Sequence, residues 1–381
     1  MLPHVNEDLA ALQPSGIRRF SALAASVPGC VRLTLGEPEF PTPAPVARAV
    51  AEALGRGETH YPPNAGTPEL RRAISGYLTR QELAYGPEEV LVTVGATEAL
   101  SSALLSVIDP GDEVVIPTPA FGLYETIVRS AHGKALPLDT RGSHFQIDEE
   151  RLRSVVGPRT RAIVITSPNN PTGCAYDKPS LDAIARVASE RGLCVVCDDV
   201  YNRLAYEPDL PRFARCHPEL REQTVVVDSF SKPWAMTGWR LGWLACAPAL
   251  MSQISKMHQY LVSCVPAFLQ SAAVVALEYD PSAMVETYRR RRDLVCNRLD
   301  KIGLPLEVPK GAFYAFPDVS SLGLPSEELC ERLIREAGVA LVPGACFGAE
   351  GFARISFCVS DEDLECGLDR LEAWIGGRCH V

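Results

Sequence analysis

Residues 224–240 read TVVVDSFSKPWAMTGWR. The run at 224–228 is too short for a helix and nearly all β-branched, so it reads as a strand buried on both faces. It closes on an aspartate, and small and polar residues follow at once: Ser229, then Lys232, then Arg240. A merely solvated lysine is out of place just past a buried strand, between SF and PWAM, because an unpaired ammonium is costly to bury. The position asks for a chemical reason.

Working outward, four more runs have the same character: VLVTV ending at Val94, EVVI ending at Ile116, AIVIT ending at Thr166 and LCVVC ending at Cys197. Helix-period segments lie between them. Leu70, Ile74, Tyr77 and Leu78 follow the start signal Thr67-Pro68, and 180–191 repeats that signature before a stop at Gly192. This alternation, from about residue 44 to 280, predicts an α/β fold with a large, mostly parallel sheet flanked by helices. After the segment around 288–299 the pattern changes to a smaller α+β unit, with VPKGAFYAFPDV and ARISFCVS as strands and SEELCERLIREAG as a helix between them. The proline-rich N-terminal 45 residues are too short to stand alone and are expected to fold onto that unit. The predicted division is a large domain at 46–285 and a small one formed by 1–45 with 286–381.

Composition narrows the function. Hydrophobic residues at 46% and charged residues at 22% are the balance of a folded chain of 381 residues, and a net charge of -10 opposes partners that need a broad basic surface, such as nucleic acid or an anionic membrane. The start has no basic, apolar leader pattern and no later run is long enough to span a bilayer, so a cytoplasmic protein acting on small molecules is expected. The thirteen cysteines are odd in number and scattered through apolar segments, which favours reduced thiols. Cys194 and Cys197 form a CxxC inside a strand, where residues three apart face opposite sides and cannot share a metal; no metal site is expected. Arg289 to Arg292 is expected to spread around an exposed helix.

In open parallel sheets ligands bind beyond the carboxyl ends of the strands. GATEAL follows Val94, SPNNPTG follows Thr166, DDVY follows Cys197 and the lysine segment follows Asp228. Gly95, Ala96 and Thr97 open a helix with free amides and a hydroxyl, which suits a phosphate, although a plain cap by Thr97 is the alternative. Ser229 and Arg240 add donors for the same dianion. Lysine amines form Schiff bases with carbonyl compounds, pyridoxal phosphate among them, and a carboxylate is the expected companion of that cofactor's ring nitrogen. Asp198 can be that partner, with a turn cap as its alternative; Tyr201 and Asn170 can reach the ring's phenolic oxygen.

SPNNPTG, DDVY and SFSKPWAMTGWRLGW, in this order and spacing, resemble the class I and II aminotransferases of pyridoxal-phosphate fold type I, and the resemblance runs from SGIRRF to ARISFCVS. It implies that Lys232 is the Schiff-base lysine, that Asp198 pairs with the pyridine nitrogen, and that Asn170 and Tyr201 contact the ring oxygen. Gly95, Ala96, Thr97, Ser229 and Arg240 would hold the phosphate, joined by Tyr61 from a partner subunit, which implies a homodimer. Phe121 matches the aromatic that stacks on the cofactor, Arg354 the arginine that grips the substrate's α-carboxylate, and Gly36 the loop that closes over it. Two departures are modest: Asp199 stands where glutamate is frequent and Phe121 where tyrosine is frequent. The implied activity is transfer of an amino group from an L-amino acid, of aspartate/glutamate or aromatic type, to a 2-oxo acid. A β-lyase of the same fold acting on a cysteine-type thioether is the alternative. Arg18 and Arg19 are candidates to read a distal carboxylate, against a reading as solvated surface charges.

Overall fold

The computed structural model describes residues 6–12 and 14–378, so the outermost parts of the predicted small unit, 1–5, 13 and 379–381, lie outside the described residues. A seven-stranded sheet carries the chain's centre, in the order Val90–Thr93, Gly242–Cys246, Thr224–Ser229, Cys194–Asp198, Thr160–Thr166, Glu113–Thr118, Lys134–Asp139. Six strands run parallel and Gly242–Cys246 runs against both neighbours. The five predicted strands are all present, shifted by a residue or two at their ends.

Two strands of this sheet escaped the sequence reading. Lys134–Asp139 is an edge strand, largely exposed along its length, and so lacks the apolar run that marks a central strand. Gly242–Cys246 sits directly behind the lysine segment. The connection from Ser229 holds only a short 3₁₀ turn at Thr237–Trp239, with no crossover helix, so the chain returns antiparallel.

Helices cover both faces. Val196, Val225, Val227 and Leu244 pack with Ala99, Leu100 and Ala103 of the helix Gly95–Leu105 on one side. Ile163, Ile165 and Val195 pack with Leu181, Ile184 and Ala188 of the helix Lys178–Arg191 on the other. That second helix begins two residues before the predicted start, with Asp177 capping the Ser180 amide at 2.8 Å, and stops at Gly192, whose φ of +65° is the left-handed conformation a glycine adopts freely. Cys194 belongs to the first cluster and Cys197 to the second, as strand alternation requires. The twelve described cysteines are free thiols.

Near the ends of the chain, Val31–Arg32 pairs in parallel with Val339–Ala340, and Val342–Pro343, Ala353–Ser356 and Tyr314–Ala315 form a three-stranded antiparallel sheet. The Ser356 amide donates to Leu33 O at 2.9 Å, which brings residues 33–36 alongside Arg354. Within the predicted strand VPKGAFYAFPDV only Tyr314–Ala315 forms a regular ladder. The arginine run is a correction: the helix Ser282–Lys301 does not expose all four. Arg291 is buried and bonded to Asp361 at 2.7 Å and to Glu39, because its position on the helix faces the core. No described helix is long and apolar enough to cross a membrane.

Candidate active site

Asp198 ends its strand beside Thr166, its register partner on the neighbouring strand. The carboxylate is buried. Its Oδ2 accepts from the Tyr124 hydroxyl at 2.7 Å, and that hydroxyl also lies 2.5 Å from Thr166 Oγ1. Burial pushes the Asp198 carboxyl up to about 6, and the Tyr124 hydrogen bond pulls against the rise. The site therefore holds a carboxylate short of one cationic or strongly donating partner. Its alternative role as a turn cap is only weakly used, the Val200 amide lying 3.5 Å from Oδ1.

Lys232 is partly enclosed, and desolvation lowers its amine to about 8. Nζ donates to Gly36 O at 2.6 Å and lies 5.8 Å from the Phe313 ring centroid and 6.0 Å from that of Tyr201. Among the described residues it has no carboxylate within 4.0 Å. An amine held in this way is substantially neutral near pH 8, which is the form that attacks a carbonyl or takes a proton.

Arg354 is the fully buried cation of the site. Nη1 donates to Asn170 Oδ1 at 2.8 Å and Nη2 to Thr34 O at 2.5 Å, while the guanidinium carbon stands 4.5 Å from the Tyr314 ring centroid. Its buried Nε has no hydrogen-bond partner, and no described carboxylate lies within 4.0 Å. A buried guanidinium with a free N–H and no counter-ion can take an anion from outside the chain. Asn170 spends its oxygen on Arg354 and keeps its amide nitrogen for another acceptor. Tyr201 and Tyr314 share a hydroxyl contact at 2.9 Å, and a Cβ on Gly36 would stand 2.0 Å from the Tyr314 oxygen, so that loop position admits only glycine.

At the far side, Gly95 begins its helix at φ +73° with the Arg240 guanidinium lying over it: a Cβ there would come within 2.8 Å of Nη2. The cradle of backbone amides is thus open only because residue 95 is glycine. The helix starts at Gly95, so Thr97 lies inside the first turn instead of capping it, with its residue exposed. Ser229 Oγ accepts from the Ser231 amide at 2.9 Å. Phe121 packs edge-on against Tyr124 at 6.3 Å. Tyr61 is 91% exposed. Arg18 is exposed, and Arg19 turns to Glu327 at 2.7 Å.

The sequence reading missed Tyr124 and Tyr314. A signal existed for the first: Tyr124 follows Phe121 by only three residues, and the two rings meet where the chain enters the helix Leu123–Ser130. For the second there was none, since AFYAF offers no way to tell which aromatic turns inward.

The family described as Aminotransferase class I and II matches residues 28–371. The aspartate aminotransferase of Pyrococcus abyssi is 40% identical over 97% of this chain and 97% of its own length. Aromatic-amino-acid aminotransferase 2 of Thermococcus litoralis is 37% identical, again covering 97% of both. In three dimensions, the Thermus thermophilus aspartate aminotransferase with maleate superposes with a TM-score of 0.92 at 37% identity, covering 98% of this chain and 100% of that one.

Proposed function

This chain belongs to the class I and II aminotransferases, and from that membership we propose that it holds pyridoxal 5'-phosphate on Lys232 and transfers the amino group of an aspartate/glutamate-type or aromatic L-amino acid to a 2-oxo acid. The observation that carries the substrate class is Arg354, a buried guanidinium whose Nε has no hydrogen-bond partner and which has no carboxylate of its own. The donor set suits the cofactor: a lysine of lowered proton affinity, a buried carboxylate for a ring nitrogen, and a glycine-opened amide cradle under an arginine for a phosphate.

When bound, that cofactor supplies an aldehyde carbon that joins amines covalently and a ring that can take up an electron pair. The chain's own residues do the rest. Asp198, its charge restored by a ring N–H, keeps a proton on that nitrogen. Asn170 Nδ2 and the Tyr201 hydroxyl would donate to the ring's phenolic oxygen, and Phe121 would cover a ring face. Gly95, Ala96, Thr97, Ser229 and Arg240 would hold the phosphate. Arg354 clamps the substrate's α-carboxylate under the Gly36 loop, which fixes the orientation of the α-carbon bonds. Lys232, as a free amine, would take up the proton from the substrate's α-carbon. Tyr61 would serve the neighbouring subunit of a homodimer. The described parts of 1–45 and 286–381 would act as the small domain, in which the pairing of Ser356 with Leu33 sets residues 33–36 beside Arg354.

Among the described residues Arg354 is the one buried arginine without a carboxylate, since Arg212 pairs with Asp199 and Arg291 with Asp361. A distal carboxylate would have to be read by an exposed residue such as Arg18 or by the neighbouring subunit. A panel of amino donors, scored by loss of the yellow absorbance of the loaded enzyme, tests the proposal. Rapid response to aspartate, glutamate or phenylalanine is expected. Release of pyruvate and ammonia from a thioether amino acid without any 2-oxo acid would replace transfer by β-elimination.

A further inference from the structure

Directly below the Gly95 turn lies a buried charge that the proposed chemistry does not use. Glu98 occupies the first turn of the helix Gly95–Leu105, one residue after Thr97. Its Oε2 accepts from the Val94 amide at 3.1 Å and its Oε1 from the Ser102 hydroxyl at 2.5 Å. A carboxylate stabilises a helix N-terminus in general. Here, however, the same N-terminus is read as a seat for a dianion, and an uncompensated buried charge beside it would repel the group the turn has to hold.

The compensation comes from another helix. His258, fully buried on the helix Pro248–Val262, places Nδ1 3.2 Å from both Glu98 oxygens. Its Nε2 lies 3.0 Å from Asn64 O, a carbonyl that can only accept. Both ring nitrogens therefore face acceptors, an arrangement satisfied when each carries a hydrogen and the ring is cationic. Asn64, in the loop that also carries Tyr61, bonds in turn through its side chain to Ser263 O at the end of the His258 helix. The pair is closed off from solvent, so water does not screen it.

We propose that His258 and Glu98 are positioning residues for cofactor binding: the imidazolium neutralises Glu98 so that the Gly95–Thr97 amides remain available to a phosphate. This rests on the reading of that turn as the phosphate seat. The test compares the affinity of the cofactor-free protein for pyridoxal 5'-phosphate with its affinity for pyridoxal, which lacks the phosphate, by titrating the visible absorbance. Removing the cation in His258→Gln is expected to weaken pyridoxal 5'-phosphate about tenfold, in the range of a charge acting at a helix terminus, and to leave pyridoxal unchanged. Removing the opposing charge as well, in Glu98→Gln/His258→Gln, should restore most of the loss, because two amides can bond to each other without net charge. Glu98→Gln alone should bind pyridoxal 5'-phosphate at least as well as the parent, and it probes the same charge balance if His258→Gln does not fold.

Equal losses for the two ligands, a double variant no better than the single, or a Glu98→Gln protein that loses phosphate selectivity would each overturn the proposal. Arg240→Ala separates it from the reading beneath it. If that variant leaves phosphate selectivity intact, the Gly95 turn is not the seat. If it abolishes selectivity while His258→Gln does not, only the role of the buried pair fails.

Discussion

At the Asp198 end of the site, the polar groups are enclosed by side chains of one chain, whereas at the Gly95 end Thr97 and Arg240 face solvent and Tyr61 is 91% exposed. The first arrangement sets proton affinities. Burial raises Asp198 and lowers Lys232, and both shifts need low-dielectric surroundings that a single folded chain can provide by itself. The second arrangement would hold a charged ligand by amides and a guanidinium that stay accessible to it, and leaves room for a contribution from outside. Under the proposed function the chemistry would belong to each chain, and retention of the cofactor would be shared with a neighbour.

Substitutions can break that division of labour. Lys232→Ala should cost the most, about 10⁴-fold or more in turnover, since it removes both the covalent anchor and the proton carrier; single-turnover absorbance with an added donor amine would measure it. Asp198→Asn should lower turnover by about 10²- to 10³-fold. It should also stabilise the cofactor-free protein at neutral pH. The folded carboxyl binds its proton more tightly than the unfolded one, so the native state carries the excess proton between about pH 4 and 6, and stability falls as pH rises through that window. Asparagine removes this loss, and thermal unfolding at pH 5 and pH 7 would show the pH dependence flatten.

Arg354→Lys should raise KM for the amino acid about 30- to 100-fold with a smaller change in kcat, because a point charge cannot replace a two-pronged clamp; steady-state kinetics decide this. Loading of the cofactor-free protein should speed up from pH 6 to 9 with a midpoint near 8, the neutral amine being the form that attacks. A midpoint near the ordinary lysine range would mean that Lys232 is more hydrated than its enclosure implies. The smallest effect is expected for Tyr61→Phe: a loss of cofactor affinity of only a few-fold, from one hydrogen bond, with kcat intact. If kcat fell in proportion, the separation between the two ends would be wrong.

The parts of the site legible in sequence were those where one strand supplies both the location and the chemistry. Lys232 and Asp198 each follow a buried apolar run, and the rule that ligands gather at strand ends found them without any knowledge of strand order. Tyr124 was not legible in that way. Its contact with Asp198 depends on a helix that follows Glu113–Thr118 reaching over Thr160–Thr166 to the next strand, and that order is a property of the sheet. Arg291 was misread for a related reason: four arginines in a row look alike until the helix face that meets Glu39 and Asp361 is known. The edge strand Lys134–Asp139 hid behind its exposure. Tyr314 became identifiable only when its hydroxyl was found against Gly36, more than two hundred residues away in the chain.

The reversal between Ser229 and Gly242 makes a cassette of the residues it contains. Because the chain leaves the sheet and re-enters it beside the same strand, Lys232 and Arg240 are carried on one short span clamped at both ends. The distance between the proposed covalent anchor and the proposed anion grip is then fixed locally, independent of the long crossovers elsewhere. Those crossovers can lengthen or shorten with little consequence for chemistry, while a single residue inserted into this span would throw the two groups out of step.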